Sequence, residues 1–306
     1  MKVAIIGQQD FGKAVLDKLL GRGDIVTAVF CAPEKVGSRP DALRVAAQEK
    51  GIVVHQFESL RAIEAVAAMR AADADIGIMA YVLQFAPQGF VSIPRHGTIQ
   101  YHPSLLPRYR GPSSISWPII CGENETGLTI FRPTDGLDEG AIILQKTTPI
   151  GPDDTLGSVY FERLFPMGVD ALLEAADLVV AGRHTETAQD ESHASYEGWC
   201  RDAESKINWA NHSSIVYNLI RGCAPAPGAW TTFGGVRLWI YEAGLEKVVT
   251  FRAVKGKIGE VVAAADGQLV VNSQSGRIHI HKGKLGDGKK VAGDALDIAV
   301  GSVLGT

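Results

Sequence analysis

Residues 1–33 read MKVAIIGQQDFGKAVLDKLLGRGDIVTAVFCAP and combine two kinds of hydrophobic pattern. A short apolar run at residues 2–6 ends at Gly7, and residues 11–23 then place leucine and valine at helical spacing before a glycine stop. Residues 24–33 are rich in β-branched side chains again. A strand, a helix and a strand in this order predict a βαβ unit, whose two strands lie parallel in one sheet.

The same alternation continues along the chain. Further elements are predicted by the same patterns: strands at residues 52–57, 74–82, 127–136 and 141–150, and helices at 41–50, 61–72 and 155–182. Pro166 predicts a break or kink inside the last of these helices, because proline cannot donate the backbone hydrogen bond. Continuous apolar strands are typical of a parallel sheet that is covered on both faces.

The residue composition and the hydrophobic pattern change towards the C-terminus. Residues 184–205 are polar and acidic, so we interpret them as a linker between a domain at 1–183 and a domain at 206–306. After a helical segment at 213–222, four strands separated by glycines are predicted, at residues 236–244, 256–267, 268–276 and 277–286. Several short strands at this spacing are typical of a small β-barrel or sandwich.

Composition excludes several classes of protein. The 306 residues carry a formal charge of −4, which argues against a protein coated in DNA, and the apolar runs are far shorter than the roughly 20 residues that span a bilayer. Four scattered cysteines without a Cys-x-x-Cys pair predict reduced thiols in the cytoplasm and no zinc site. Residues 1–12 have one lysine and then turn polar, so we do not expect them to be a secretory signal.

Charge is unevenly distributed. From Lys206 onward there are 12 Lys+Arg against 7 Asp+Glu, a balance of +5, whereas the first 205 residues have a balance of −9. The C-terminal excess is explained either by a solvated basic face or by an anionic partner. A partner of that kind would use the lysines Lys282, Lys284, Lys289 and Lys290.

The first loop is not a dinucleotide fingerprint. That fingerprint needs Gly-x-Gly-x-x-Gly between a strand and a helix, and here Gly7 and Gly12 occupy the outer positions while Gln9 occupies the middle one. A side chain at this position blocks the approach of a pyrophosphate, so we expect no NAD site. Gly7 and Gly12 are expected to serve a tight turn and helix packing.

A strand that enters a structured loop supplies the candidate chemistry. Residues 98–117 read TIQYHPSLLPRYRGPSSISW, and Gln100 and His102 point to the same face of an extended strand. Downstream, Asp135 and Asp138 lie in the glycine-bounded stretch TDGLDEG. An imidazole, a carboxylate and an amide are the groups that acyl transfer to or from nitrogen requires. A structural histidine and a solvated acidic turn remain the alternatives.

These two stretches also resemble a known family. GTIQYHPSLLPRYRGPSSISWPI followed by GLTIFRPTDGLDEGAIILQK is similar to the paired signatures of the folate-dependent formyltransferases, and the resemblance extends over essentially the whole chain. Similarities at residues 6–15, 94–97, 206–209 and 220–230 favour the hydrolase branch of that family. The resemblance implies a Rossmann-like α/β domain with a parallel sheet and a small OB-like β-barrel domain.

The resemblance also implies roles for individual residues. His102 and Asp138 match the catalytic histidine and aspartate, and Gln100 stands where the transferases carry asparagine and the hydrolase branch an aliphatic residue. The folate pocket is expected at two loops, formed by Leu83, Gln84, Phe85 and Pro87 and by Thr134, Asp135 and Gly136. Arg108 and Arg110 are expected either to meet an anionic acceptor or folate tail, or to be surface charges.

The function implied by the resemblance is removal of the formyl group from 10-formyltetrahydrofolate. Water is the favoured acceptor, giving formate and tetrahydrofolate, without metal or NAD. The alternative acceptor is an amine, either methionyl-tRNA or a small amino compound. A third possibility is a folate-binding paralogue without catalysis, disabled by glutamine at position 100.

Overall fold

The computed structural model of the chain describes residues 1–247 and 256–305. These residues form two compact units. The first comprises Met1–Gly111, Gly127–Thr148 and Arg163–Tyr196, and the second comprises Pro112–Thr126, Pro149–Glu162 and Glu197–Thr306. The domain boundaries derived from the sequence stay a prediction. Among the residues described, no helix is both long and apolar enough to cross a membrane.

A seven-stranded sheet forms the centre of the first unit. Its strands are Lys2–Gly7 (β1), Ile25–Cys31 (β2), Val54–Gln56 (β3), Ile76–Ala80 (β4), Thr98–His102 (β5), Glu125–Phe131 (β6) and Ile142–Pro149 (β7). The strand order is β3-β2-β1-β4-β5-β6-β7. The pairings among β1 to β5 are all parallel, which confirms the predicted α/β sheet, whereas β6 lies antiparallel to β5.

The described part of the chain contains eight α-helices. They are Gln9–Gly21 (α1), Ala42–Glu49 (α2), Ile63–Ala71 (α3), Gln88–Val91 (α4), Ser116–Ile120 (α5), Leu156–Ser158 (α6), Phe165–Val180 (α7) and Ser213–Gly222 (α8). A π-helix spans Val159–Leu164, and 3₁₀ turns span Glu191–His193 and Gly293–Leu296. Pro166 lies in the first turn of α7, where a missing backbone donor is tolerated. Helical residues continue without a gap from Leu156 to Val180, so the chain does not break at Pro166, and a kink there stays a prediction.

The glycines of the first loop serve close packing. A Cβ on Gly7 would lie 2.0 Å from the carbonyl oxygen of Ala80 on β4, and one on Gly12 would lie 2.9 Å from the Leu43 side chain on α2. Both distances are shorter than van der Waals contact. β1 and β4 are almost completely buried, which explains their uninterrupted apolar sequences.

The second unit contains a six-stranded antiparallel sheet. Its strands are Ala229–Phe233 (β8), Val236–Lys247 (β9), Val261–Ala265 (β10), Gln268–Ser273 (β11), Gly276–Leu285 (β12) and Val291–Ala292 (β13). The order is β10-β11-β12-β9-β8, and β13 pairs with β12. Alternate residues of these strands, such as Leu238, Ile240, Ile278 and Ile280, enter one hydrophobic core together with α8 residues. The predicted small β domain is therefore confirmed, and β8 is a strand that the sequence patterns missed.

Candidate active site

His102 is the last residue of β5, and the residue is 5% exposed. The Nε2 atom lies 2.9 Å from the carbonyl oxygen of Tyr109. A carbonyl oxygen can only accept a hydrogen bond, so Nε2 carries the proton and donates it. The neutral imidazole consequently has an unprotonated Nδ1. Tyr109 adopts a left-handed conformation (φ 58°) in the loop that presents this carbonyl.

Asp138 lies opposite that nitrogen. Its Oδ2 atom is 3.6 Å from Nδ1 of His102 and accepts a hydrogen bond of 2.9 Å from the backbone N–H of Gly111. Asp138 is 9% exposed and has a left-handed backbone (φ 53°), and Gly140 completes the turn. A Cβ on Gly140 would lie 1.6 Å from the Arg132 carbonyl oxygen, so the loop can close only with glycine at this position.

The facing atoms of His102 and Asp138 are both acceptors when the imidazole is neutral and the carboxyl is ionised. Two acceptors at 3.6 Å do not bond to each other. The pair is therefore suited to share one proton or to take a proton from a bound group. Two buried titratable side chains at this separation have the geometry that general acid–base chemistry requires.

Gln100 lies two residues before His102 on the same strand. In the sheet it pairs with Met79 of β4 and with Phe131 of β6, and its side chain is half-buried. Gln100 and His102 point to the same face of the sheet because of the two-residue repeat of a strand. The structure thus brings together the imidazole and the carboxylate that the sequence predicted, and the strand geometry places Gln100 on the same face as His102.

A buried network supports the loop that follows His102. Thr129 on β6 donates its hydroxyl to the Ser104 carbonyl (2.7 Å) and accepts hydrogen bonds from the Leu106 N–H (3.1 Å) and from Gln145 (2.9 Å). Ser104 donates to the Arg108 carbonyl (2.7 Å). Side-chain hydrogen bonds therefore fix the region Ser104–Pro107, which follows His102 directly.

The two loops expected to bind folate lie next to each other. The backbone N–H of Gln88 donates to Asp135 (3.0 Å), and the Gln88 side chain donates to the Pro133 carbonyl (2.6 Å). Pro87 immediately precedes this helix start. Thr134 accepts a hydrogen bond from the Gly136 N–H (3.2 Å), which shapes the second loop.

The other three residues of the first expected folate loop differ in their contacts and in their exposure. Gln84 donates to the carbonyl oxygens of Phe57 (2.7 Å) and Glu58 (3.3 Å), so its amide nitrogen is occupied by the protein itself. Phe85 is 46% exposed and lies under the guanidinium of Arg61. Leu83 is 56% exposed. Phe85 and Leu83 therefore offer apolar surface, whereas Gln84 has a structural role.

Arg110 is buried, in contrast to the surface position considered from the sequence. Its guanidinium donates to the side-chain oxygen of Gln189 (2.7 Å) and forms an ion pair with Glu191 (2.7 Å), which lowers the pKa of that carboxyl. Gln189 was missed by sequence reasoning, because it lies in the acidic stretch interpreted as a linker. Among the residues described, no group of three or more His, Cys, Asp or Glu side chains could hold a metal ion.

The chain thus combines an α/β sheet, which carries a buried histidine beside an aspartate at the end of a central strand, with a small antiparallel β sheet. Residues 1–175 match the Formyl transferase family, and residues 200–297 match the Formyl transferase C-terminal domain. The chain belongs to the formyl transferase family, which confirms the resemblance.

Two curated relatives and one solved structure show the range of this family. Over 250 residues the chain is 39% identical to cytosolic 10-formyltetrahydrofolate dehydrogenase of Mus musculus, a match to 80% of this chain and 28% of that protein. It is 34% identical to methionyl-tRNA formyltransferase of Geobacter metallireducens, over 95% of this chain and 92% of that one. The chain thus spans between a quarter and a third of the dehydrogenase.

The solved structure is that of WlaRD, a sugar 3N-formyl transferase studied in the presence of dTDP and 5-N-formyl-THF. It superposes with a TM-score of 0.70 at 18% identity and covers 92% of this chain and 97% of that one. At this identity the likeness shows the shared fold.

Proposed function

We propose that this protein is a hydrolase that removes the formyl group from 10-formyltetrahydrofolate. The observation that carries the proposal is the buried pair of His102 Nδ1 and Asp138 Oδ2 at 3.6 Å, in a chain of the formyl transferase family. In the reaction, a bond forms between water oxygen and the formyl carbon, and the bond from that carbon to the folate nitrogen breaks. Formate leaves, and the nitrogen takes a proton.

The residues present fit a flat, partly apolar folate ring. Four exposed apolar side chains lie in the loops after β4 and β6, namely Tyr81, Leu83, Phe85 and Leu137. Leu137 directly precedes Asp138, and Leu83 and Phe85 lie in the loop whose end is bonded to Asp135. Exposed apolar groups beside a few fixed polar ones are typical of small-molecule sites. The relatives named for folate chemistry support the same ligand class.

In the proposed reaction, each polar group of the site has its own role. Tyr109 holds the His102 ring with Nδ1 available, and Gly111 holds the Asp138 carboxylate beside it. This pair takes the proton of the attacking water and returns one to the leaving nitrogen. The Gln100 amide, on the same face, stabilises negative charge that develops on the formyl oxygen. The free cysteines support a cytoplasmic location.

Transfer to an amine is the second candidate. It is favoured by Gln100, because an amide at this position matches the transferases better than the aliphatic residue of the hydrolase branch. The match to methionyl-tRNA formyltransferase over 95% of this chain also supports it. The acceptor would be methionyl-tRNA or a small amino compound.

The test is incubation of the purified chain with 10-formyltetrahydrofolate alone, with tetrahydrofolate and formate as the measured products. We expect multiple turnover, and a loss of about 10²–10⁴-fold in Asp138→Asn and in His102→Ala. Asp177→Asn is the matched control, because Asp177 pairs with Arg22 on the surface. Turnover that appears only after an amine is added would show that the amine, and not water, is the acceptor. Near-normal turnover in Asp138→Asn would refute the catalytic assignment of Asp138.

A further inference from the structure

Three consecutive residues connect both members of the acid–base pair to one loop. The Tyr109 carbonyl accepts the His102 Nε2–H, and the Gly111 N–H donates to Asp138 Oδ2. Between them, the side chain of Arg110 donates hydrogen bonds to Gln189 and Glu191. The position of the 109–111 backbone therefore decides how far His102 and Asp138 lie apart.

Gln189 holds the other side of the same pair. Its amide nitrogen donates to the carbonyl oxygens of Asp138 and Gly140, both at 2.8 Å, and its amide oxygen accepts from Arg110. Gln189 is 9% exposed. One side chain thus bonds to the backbone of the loop that carries Asp138 and to the arginine of the loop that orients His102.

These contacts form a closed ring. The Asp138 carbonyl is bonded to Gln189, Gln189 is bonded to Arg110, and Arg110 is covalently joined to Gly111. Gly111 returns to Asp138 through its carboxylate. A ring of this kind leaves little freedom for the carboxylate, because both its backbone and its side chain are fixed by the same partners.

The neighbouring chain segment strengthens the ring. Ser195 accepts a hydrogen bond from the Tyr109 N–H (2.9 Å), and its own backbone N–H donates to the Pro107 carbonyl (3.1 Å). The backbone N–H of Arg110 donates to the Ser195 carbonyl (2.9 Å). Residues 189–195, which the sequence suggested were a linker, are thus built into the support of the candidate active site.

We propose that Gln189, together with Arg110, is the positioning residue that sets the separation between His102 and Asp138. The inference rests on the proposed function, because it assigns a purpose to the spacing of the acid–base pair. Gln189 touches no reacting atom. It acts through the backbone of Asp138 and through Arg110, which makes it distinct from the catalytic residues.

The kinetic test uses two replacements of similar length. Gln189→Met removes both donor and acceptor, whereas Gln189→Glu keeps an oxygen for Arg110 but loses the two hydrogen bonds to carbonyl oxygens. We expect kcat for formyl release to fall about 10²-fold in both, as a displacement near 1 Å can cause, with KM little changed. Gln56→Met is the control, since Gln56 donates to a single carbonyl, that of Ala32.

A second readout needs no substrate. Nitrogen-15 NMR of the His102 ring at one fixed pH reports which ring nitrogen carries the proton, and the Nδ1 shift is sensitive to the carboxylate that faces it. We expect the Nδ1 resonance to move in both Gln189 variants and to stay unchanged in Gln56→Met. Circular dichroism of the same samples shows the fraction that is folded.

The outcomes separate the two proposals. Unchanged kcat with an unchanged Nδ1 shift in folded Gln189→Met overturns the positioning role, as does full activity in Gln189→Glu. A loss of activity that merely equals the loss of folded protein also overturns it. If the wild-type chain releases no formyl group, the proposed function fails, and the Nδ1 measurement still decides whether Gln189 sets the geometry of the pair.

Discussion

At the scale of single residues, Gln100 is the residue whose proposed role bears on the choice of acceptor. It faces the same side of β5 as His102 and is half-buried, so its amide can reach a ligand bound beside the imidazole. A glutamine is one methylene longer than the asparagine of the transferases, so the proposed function leaves two outcomes: the amide still reaches the formyl oxygen, or it displaces the formyl group or a water. The effect of this residue is therefore open to direct measurement.

Replacement of Gln100 by leucine tests whether the amide stabilises developing charge. We expect kcat to fall about 10²-fold, in the range found when one oxyanion donor is removed, while binding of folate is retained. Steady-state kinetics and a binding titration provide the two quantities. Equal kcat in Gln100→Leu and wild type would mean that the amide does not contact the formyl oxygen and that the pair of His102 and Asp138 acts alone.

At the scale of elements, helix α7 packs closely against strand β5. A Cβ on Gly168 would lie 2.5 Å from the ring of Tyr101, which stacks on Phe11 of α1 at 4.5 Å between ring centroids. Tyr101 directly precedes His102. The contact between glycine and aromatic ring therefore sets the distance of α7 from the strand that carries His102.

Gly168→Ala and Gly21→Ala form a matched pair for this contact, because both glycines are helical and only Gly168 is enclosed. A Cβ on Gly21 meets nothing within 4 Å. We expect Gly168→Ala to lower the free energy of unfolding by about 1–3 kcal/mol through overpacking. Gly21→Ala should be neutral or stabilising by up to about 1 kcal/mol. Urea denaturation measures both, and equal effects would contradict the close contact.

At the scale of the whole molecule, each unit buries a group whose pKa is raised. Burial, with smaller effects of Asp41 and Glu34, raises the pKa of Cys31 in the first unit to about 12. Burial and the hydrogen bond to Asp153 raise the pKa of Tyr217 in the second unit to about 12. In both groups the neutral form is favoured by folding, so alkaline solution weakens both units.

The sign of this effect gives a prediction for stability at high pH. A raised pKa contributes stability that is complete below the unfolded value, 9.0 for Cys31 and 10.0 for Tyr217, and is lost as pH approaches about 12. We expect the free energy of unfolding to decrease above pH 9, by at most about 1.4 kcal/mol per pH unit for each group.

Cys31→Ala and Tyr217→Phe should each flatten this decrease, which urea denaturation between pH 8 and 11 measures. Tyr217→Phe also removes the hydrogen bond to Asp153, at a cost of about 0.5–1.5 kcal/mol at neutral pH. Curves that remain parallel to the wild type at all pH values would show that these groups do not titrate with unfolding.

The sequence by itself determined the α/β unit, four of the later β strands and the family, because apolar periodicity and contiguous motifs are local properties of the chain. It also indicated His102, Asp138 and Gln100, since each lies within such a motif. These roles remain predictions until the variants are measured.

Only the tertiary structure decided the direction of β6, the burial of Arg110 and the place of Gln189. Gln189 is 51 residues from Asp138 and 79 from Arg110 along the chain. Hydrogen bonds over such separations produce no periodic pattern in the acidic sequence around Gln189. The tautomer of His102 likewise depends on a carbonyl that a loop directs towards it. Hydrogen bonds between distant segments form only after the chain has folded, so patterns read along the chain do not contain them.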